Sequence, residues 1–229
     1  MSATAVALVV AAGRGERLGP GGPKAFAALA GRPMLEWSVE ALQQVAAVGQ
    51  IIVALPEGFE APPGTVGAAG GAERSQSVLN ALAAADPGAE VVVVHDAARP
   101  LVSSELIEAC IAALDQDGSW DGAIAAAPVK DTVKRSVDGV AVLGTPTRSE
   151  LWAVQTPQVF RREALERALG RPEAELAAAS DDAMLVEADG GRVRLVHCES
   201  ENFKVTTAAD LAVAEQLLGA RAELRASGV

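Results

Sequence analysis

The chain has 229 residues, half of them apolar, and its formal net charge is −11. This length predicts one α/β domain over residues 1–229, and the absence of any apolar run near the roughly 20 residues of a bilayer span argues against a membrane protein. The acidic charge argues against a nucleic-acid partner, which needs clustered cations. Two cysteines, and no secretory signal in residues 1–12, predict a protein of the reducing cytoplasm.

Strand-like runs alternate with amphipathic helices along the sequence. Strands are predicted at residues 5–10, 50–55, 91–95, 122–129 and 192–197. Helices are predicted from Pro33 to about residue 45, around residues 78–82, at 104–115, near 161–168 and 181–188, and after a Thr207 cap, with a surface loop at 58–72. This order predicts a mostly parallel sheet with helices on both faces and a ligand site at the carboxyl ends of the strands.

Residues 130–145 interrupt this alternation. They are typical of two short strands joined at Asp138-Gly139, a dipeptide that favours a tight hairpin turn. An isolated hairpin is marginally stable in water, so it must pack against something. We favour packing against a second subunit, and folding back onto its own domain is the alternative.

The first candidate site is the loop after the first strand. Small residues there are followed by the cations Arg14, Arg17 and Lys24 on an otherwise acidic chain. Glycine-rich backbone beside cations indicates a polyphosphate site, and a solvated cationic loop is the alternative. A dinucleotide fingerprint is disfavoured because Leu18 stands where its third glycine belongs, and the sequence has no Walker loop.

The second candidate is the run His95-Asp96-Ala97-Ala98-Arg99-Pro100 after the most apolar strand. A carboxylate at the end of a central strand is well placed to hold Mg²⁺, so Asp96 is the predicted metal ligand. The alternative is that Arg99 holds this carboxylate in a structural ion pair. We expect His95 to be a packed or hydrogen-bonded residue, not a base.

Two weaker candidates complete the set. The glycines at 70 and 71 let backbone approach a flat base, and Ser77 donates and accepts hydrogen bonds near the start of a helix. Ser75 is alternatively a simple helix N-cap. A scattered group follows at Arg148, residues 156–158 and residues 201–206. Its cations lie at the ends of late elements. If they come together in the fold, they form a second anion site; taken individually, each is better explained as a surface charge.

Several runs occur here in a fixed order. They are Ala-Ala-Gly-x-Gly-x-Arg with Pro-Lys, Gly-Gly-x-x-Arg-x-x-Ser-Val, Val-His-Asp-Ala-Ala-Arg-Pro, Asp-Thr-Val-Lys, Thr-Pro-Gln-x-Phe and Asn-x-Lys-Val-Thr. Together they resemble the 2-C-methyl-D-erythritol 4-phosphate cytidylyltransferases of the non-mevalonate isoprenoid pathway, from Ala5 to Leu218. The resemblance implies a Rossmann-like, GT-A-like nucleotidyltransferase domain whose β-hairpin arm, residues 130–150, reaches the partner subunit of a homodimer.

The resemblance also implies roles for individual residues. The catalytic set is Arg17, Lys24, Arg148 and Lys204. The CTP contacts are Ala11, Ala12, Gly13, Arg14, Gly15, Lys24, Gly71, Ser77, Asp96 and Ala97. The contacts to methylerythritol phosphate are Thr132, Arg148, Thr156 and Lys204, with Thr132 and Arg148 supplied in trans. Asp96 is implied to bind Mg²⁺ or another divalent cation.

Other activities are also compatible with some of these motifs. Similar cytidylyltransferases act on ribitol 5-phosphate, and purine or sugar nucleotidyltransferases share the opening motif. A non-catalytic nucleotide-binding subunit is a further alternative, but it requires the loss of a proposed catalytic residue, and all of them are present. The chain departs from familiar members at Ala72, which offers the base no polar side chain, and at Arg14, which adds a cation near the phosphates.

Overall fold

A seven-stranded, mostly parallel sheet forms the centre of the protein. The computed structural model describes residues 5–13, 22–116, 118–199 and 201–226, so Arg14, Gly15 and Arg17 of the predicted phosphate loop lie outside the described residues. The strands are β1 (Ala5–Val10), β2 (Ala28–Leu29), β3 (Arg32–Pro33), β4 (Val48–Leu55), β5 (Val66–Ala69), β6 (Val91–Asp96), β7 (Gly122–Pro128), β8 (Trp152–Arg161) and β9 (Val193–His197). The α-helices are α1 (Met34–Gln43), α2 (Arg74–Ala83), α3 (Ser104–Asp115), α4 (Arg162–Leu169), α5 (Glu173–Ala178), α6 (Asp182–Ala188) and α7 (Ala208–Ala226).

The strand order in the sheet is β5-β4-β1-β6-β8-β7-β9. Strand β8 runs antiparallel to both of its neighbours, and the remaining pairs are parallel. Strands β2 and β3 form a separate small hairpin. Strands β1 and β6 lie side by side in the middle and are buried almost completely, as parallel strands covered on both faces should be.

Helices cover both faces of this sheet, as the sequence predicts. Alternate residues of β1 point to opposite sides, so Ala7 and Val9 join one core cluster and Val6 and Leu8 the other. On the first side α1 and α3 contribute inward residues such as Leu35, Leu42, Ile107 and Leu114. On the second side α2, α4 and α6 contribute residues such as Val78, Leu165 and Leu185.

Most predicted elements are confirmed, and α3 has the predicted bounds. Strand β8 is not among the predicted strands, because its centre is Gln155-Thr156-Pro157-Gln158, and a polar run with proline is atypical of a central strand. The ladder accommodates this run by a register shift against β7 between Ile124 and Ala126. The predicted loop at 58–72 also contains the short edge strand β5, whose Gly67 and alanines carry little strand propensity.

The predicted hairpin at 130–145 is only partly formed. Its two arms meet in a single bridge between Arg135 and Gly144, so the expectation of two regular strands is wrong. The turn itself matches the prediction, since Gly139 has φ +73° and Asp138 accepts hydrogen bonds from the next turn. Val137 is 90% exposed and Val140 87%, so within one chain these side chains are not packed into a core.

Among the described residues, no helix combines the length and apolar character needed to cross a bilayer.

Candidate active site

The carboxyl ends of β1 and β6 open onto a cavity of about 840 Å³, a size typical of small-molecule sites. The cavity therefore lies where the strand order predicts a ligand. The lining residues are Val10, Ala11, Ala12, Gly13, Lys24, Ala25, Gly71, Ala72, Glu73, Arg74, Ser77, Asp96, Ala97, Ala98, Lys204 and Thr206. Nine of the predicted site residues are thus brought together from five separate stretches of sequence.

The glycine turn packs tightly against the opening loop. A Cβ on Gly70 would lie 2.2 Å from the Cβ of Ala12 and 2.9 Å from the Leu55 carbonyl oxygen. A Cβ on Gly71 would lie 2.3 Å from the Cβ of Gln76. Only glycine fits at either position, so the turn lies directly against Ala12 of the opening loop at Gly70 and against the first turn of α2 at Gly71.

The Ser77 hydroxyl forms two hydrogen bonds within the protein. Its Oγ accepts a hydrogen bond from the Gly71 N–H at 3.0 Å and donates its proton to the Glu73 carbonyl at 3.2 Å. A hydroxyl has one donor and two acceptor positions, so the remaining position on Ser77 is an acceptor. Ser75 is not the N-cap of α2, since Glu73 occupies that place and the Ser75 hydroxyl donates to the Leu176 carbonyl.

Two cations hold Asp96 at the end of β6. Its Oδ1 accepts from Nε of Arg74 at 3.1 Å, and its Oδ2 accepts from Nζ of Lys204 at 2.7 Å. Burial alone raises the pKa of the Asp96 carboxyl, but Arg74 and then Lys204 outweigh burial and hold this pKa well below its ordinary value. The carboxylate is therefore ionised at pH 7.

The alternative partner for Asp96 in the sequence analysis, Arg99, is the wrong one. No ion pair joins Arg99 to Asp96 in the described part of the chain; the Arg99 guanidinium instead donates to the Asn202 carbonyl at 2.9 Å. Arg74 takes the predicted place of Arg99. No local pattern signals this pairing, because the two partners are 22 residues apart and belong to different motifs.

A buried polar layer lies directly behind Asp96. The Thr156 hydroxyl accepts from the Asp96 N–H at 3.0 Å and lies 3.0 Å from Nδ1 of His95, whose Nε2 lies 3.3 Å from the Arg99 carbonyl. Since that carbonyl only accepts, Nε2 carries the ring proton, and Thr156 donates to Nδ1. Burial lowers the pKa of His95 to about 4, so the ring is neutral and hydrogen-bonded, as predicted.

Lys204 reaches the cavity on a segment tied to the start of α7. Oδ2 of Asp210 accepts from the Thr206 hydroxyl at 2.7 Å and from the N–H groups of Thr206 and Thr207 at 2.7 and 2.8 Å. The Asp210 N–H donates back to the Thr207 hydroxyl at 3.2 Å, which confirms the predicted cap. These hydrogen bonds, first among them that from the Thr206 side chain, lower the pKa of Asp210 to about 2.

Three predicted substrate contacts lie away from the cavity wall. Thr156 is buried behind Asp96, as described above. Thr132 and Arg148 are exposed on the arm, where the Arg148 guanidinium donates to the Lys130 carbonyl at 3.2 Å. Within the described part of one chain, neither of these arm residues lines the cavity.

Comparison with known proteins shows the family of the chain. The family model for 2-C-methyl-D-erythritol 4-phosphate cytidylyltransferase matches residues 5–220. Relatives of that name from Frankia casuarinae and Deinococcus radiodurans are 49% and 47% identical, over 93% of this chain and 80% and 89% of their own lengths.

Solved structures of the same name show the same fold. The crystal structure from Thermus thermophilus has a TM-score of 0.77 at 37% identity, covering 93% of this chain and 98% of the other. The structure from Francisella tularensis has a TM-score of 0.80 at 29% identity, covering 93% and 99%. The chain belongs to the 2-C-methyl-D-erythritol 4-phosphate cytidylyltransferase family.

Proposed function

We propose that the cavity of about 840 Å³ is the CTP subsite of the family's reaction in this chain. That reaction joins CTP to 2-C-methyl-D-erythritol 4-phosphate, gives 4-diphosphocytidyl-2-C-methyl-D-erythritol and releases pyrophosphate in isoprenoid biosynthesis. The observation that carries the assignment is that Asp96, Lys24 and Lys204 all line this cavity, together with a turn that only glycines can form.

We assign the base end of the subsite to the part of the cavity lined by Ala11–Gly13 and Gly71. These four residues are alanines and glycines with little or no side chain, so a bound base would contact mainly backbone. Such a surface suits a single flat ring. Ser77 offers only an acceptor here, because its proton is already donated to Glu73. Cytosine carries an amino donor at C4 where uracil carries a carbonyl acceptor, so this serine favours cytosine.

Replacing Ser77 by alanine is therefore expected to weaken the preference for CTP over UTP. We expect the ratio of kcat/KM for the two nucleotides to fall by about tenfold, because the acceptor that distinguishes them is lost. Ser75→Ala is the matched control, since Ser75 belongs to the same helix but bonds to Leu176. An unchanged CTP:UTP ratio in Ser77→Ala would contradict this role.

The chemical step requires little covalent work from the protein. A phosphate oxygen of methylerythritol phosphate attacks the α-phosphorus of CTP in line, and negative charge develops on the nonbridging and leaving oxygens. We assign Lys24, together with Arg17, to this developing charge. Lys204 has three donors and uses one on Asp96, so two remain for the phosphate of the second substrate.

The residues present fit one Mg²⁺ or another divalent cation. Asp96 supplies an ionised carboxylate, and the described residues contain no cluster of three or more metal-binding side chains. This suits Mg²⁺, which takes one or two carboxylates and completes its shell with phosphate oxygens and water. When bound, the cation would neutralise charge on the triphosphate, and Thr156 would keep Asp96 in position from behind.

The arm at residues 130–150 is assigned to a dimer contact. Val137, Val140 and Val142 are exposed in one chain, and apolar surface of this kind favours burial against a partner. We propose that a second copy of the chain covers the arm and receives Thr132 and Arg148 into its own site. This arrangement accounts for their position off the cavity wall.

Mixed dimers test the arrangement. If Arg148 acts in trans, a dimer of one Arg17→Ala and one Arg148→Ala protomer contains one intact site and one doubly deficient site. Random mixing should then restore about a quarter of wild-type activity, because about half of the dimers are mixed. Mixed dimers, verified by tag-specific purification, that stay as inactive as their parents would place Arg148 in its own chain's site.

The choice of second substrate is tested by pyrophosphate release. The protein, CTP and Mg²⁺ are incubated with methylerythritol 4-phosphate, and in parallel with ribitol 5-phosphate. Release with the first substrate alone is expected; release with ribitol phosphate alone would assign the related activity, and none above the blank with either would leave a non-catalytic subunit. We place the reaction in the cytoplasm, in keeping with two buried free thiols.

A further inference from the structure

One buried carboxylate beside the cavity has no part in the reaction described so far. Asp182, the first residue of α6, is fully buried, and its Oδ2 lies 2.6 Å from Nη1 of Arg74. Its Oδ1 makes no hydrogen bond with any described residue. A buried charge with an unsatisfied oxygen is a poor source of stability, since a well-packed apolar group often does as well. The charge at Asp182 is better explained by what it does to Arg74.

Arg74 stands in an unusual place for a cation. It is the first residue of α2, where the partial positive charge of the helix end disfavours it. It nevertheless lines the cavity and donates from Nε to Asp96. Two carboxylates thus hold one guanidinium through different N–H groups, and because the group is planar, the two contacts together fix its orientation.

This orientation determines which oxygens of Asp96 are covered. Arg74 takes only Oδ1, and Oδ2 faces Lys204. A guanidinium without its second carboxylate is free to turn a two-nitrogen edge toward Asp96, because bidentate pairing with both oxygens is the favoured geometry of an isolated arginine and carboxylate. Such pairing would compete with Lys204 and with a cation for Oδ2.

We propose that Asp182 is a positioning residue, which holds Arg74 to a single hydrogen bond with Asp96 and so leaves the second oxygen of Asp96 to Lys204 and a bound cation. Asp182 acts through Arg74 and does not touch substrate. The proposal rests on the role assigned to Asp96 above. It extends the site from the cavity wall to the first turn of α6, 108 residues from Arg74 in sequence.

The test is Asp182→Asn in the full chain, which keeps the shape and removes the charge. We expect kcat to fall about tenfold, the Mg²⁺ concentration for half-maximal rate to rise several-fold, and KM for methylerythritol phosphate to stay within about twofold. Calorimetry supplies a readout apart from turnover: the tightening of CTP binding between EDTA and Mg²⁺ should shrink several-fold. The control is Asp189→Asn, which removes an ion pair with Arg167 at the other end of α6 and should leave all four quantities unchanged.

A second variant keeps the proposal testable if Asp182→Asn does not fold. Arg74→Lys retains the charge but lacks the planar fork, so it should show the same rise in Mg²⁺ requirement, and Asp182→Asn should add little in that background. Asp182→Glu, which restores a carboxylate, should lie closer to wild type than Asp182→Asn. A lower kcat with wild-type Mg²⁺ dependence and CTP affinities would overturn the proposal, whereas an inactive wild-type protein would instead refute the proposed function.

Discussion

Asp96→Asn is expected to lower kcat by about a thousandfold, because the substitution removes the carboxylate that we assign to a divalent cation. The fold should survive. Asparagine has nearly the same shape, Arg74 keeps its ion pair with Asp182, and the Asp96 N–H keeps its bond to Thr156. The test is to measure the rate of Asp96→Asn over a range of Mg²⁺ concentrations. The melting temperature of the variant checks that it is folded.

The matched control for that variant is Asp121→Asn. Asp121 precedes β7 at the amino end of the sheet, and its carboxylate accepts a hydrogen bond from the Arg192 N–H. Asp121 is therefore an aspartate that forms a hydrogen bond at the end of the sheet opposite the cavity. We expect wild-type kcat there, and a wild-type Mg²⁺ dependence in Asp96→Asn would remove Asp96 from the metal site.

Lys24→Ala is expected to lower kcat by about a hundredfold or more while changing CTP affinity far less, as for a donor aimed at charge that develops in the transition state. Lys24 begins a 3-10 turn, Lys24–Phe26, whose central Ala25 is buried. The ring of Phe26 lies 4.3 Å from that of Phe59, measured between centroids. The lysine is thus presented from a packed turn beside the cavity.

Single-turnover rates and equilibrium CTP binding separate the two effects of Lys24→Ala. Arg167→Ala is a suitable control, because it also removes one cation, from a surface ion pair with Asp189. If Lys24→Ala weakens CTP binding as much as it slows turnover, the lysine contributes to ground-state binding alone.

The sequence predicts the central part of this site well, for a physical reason. Strands buried on both faces carry continuous apolar runs, so β1 and β6 are visible as Ala5–Val10 and Val91–Val94, and parallel strands place their following loops at one edge. The opening loop at Ala11–Gly13 follows the first of these runs, and Asp96 lies at the end of the second. Their meeting at one cavity was therefore predictable from the sequence alone.

The sequence does not reveal contacts between residues that are far apart in the chain and that belong to no recognisable motif. Arg74 and Asp182 each look like surface charges at helix starts, and only the folded chain brings them to 2.6 Å. Strand β8 was hidden for another reason, since Thr156 and Gln158 form their hydrogen bonds inside a buried polar layer that the local sequence pattern does not reveal. The arm is less regular than the sequence predicts, because an isolated hairpin has few hydrogen bonds to stabilise its two strands.

Strand β8 imposes a length constraint on the chain. It begins at the half-exposed Trp152, at the base of the arm, and four residues later places Thr156 against Asp96. Adding or deleting one residue between these points would turn every following side chain to the wrong face of the sheet. The tip at Asp138-Gly139, by contrast, has no such neighbour in the described chain and is where insertions are tolerated best. Variation in arm length among relatives should therefore fall at the tip and spare the strand.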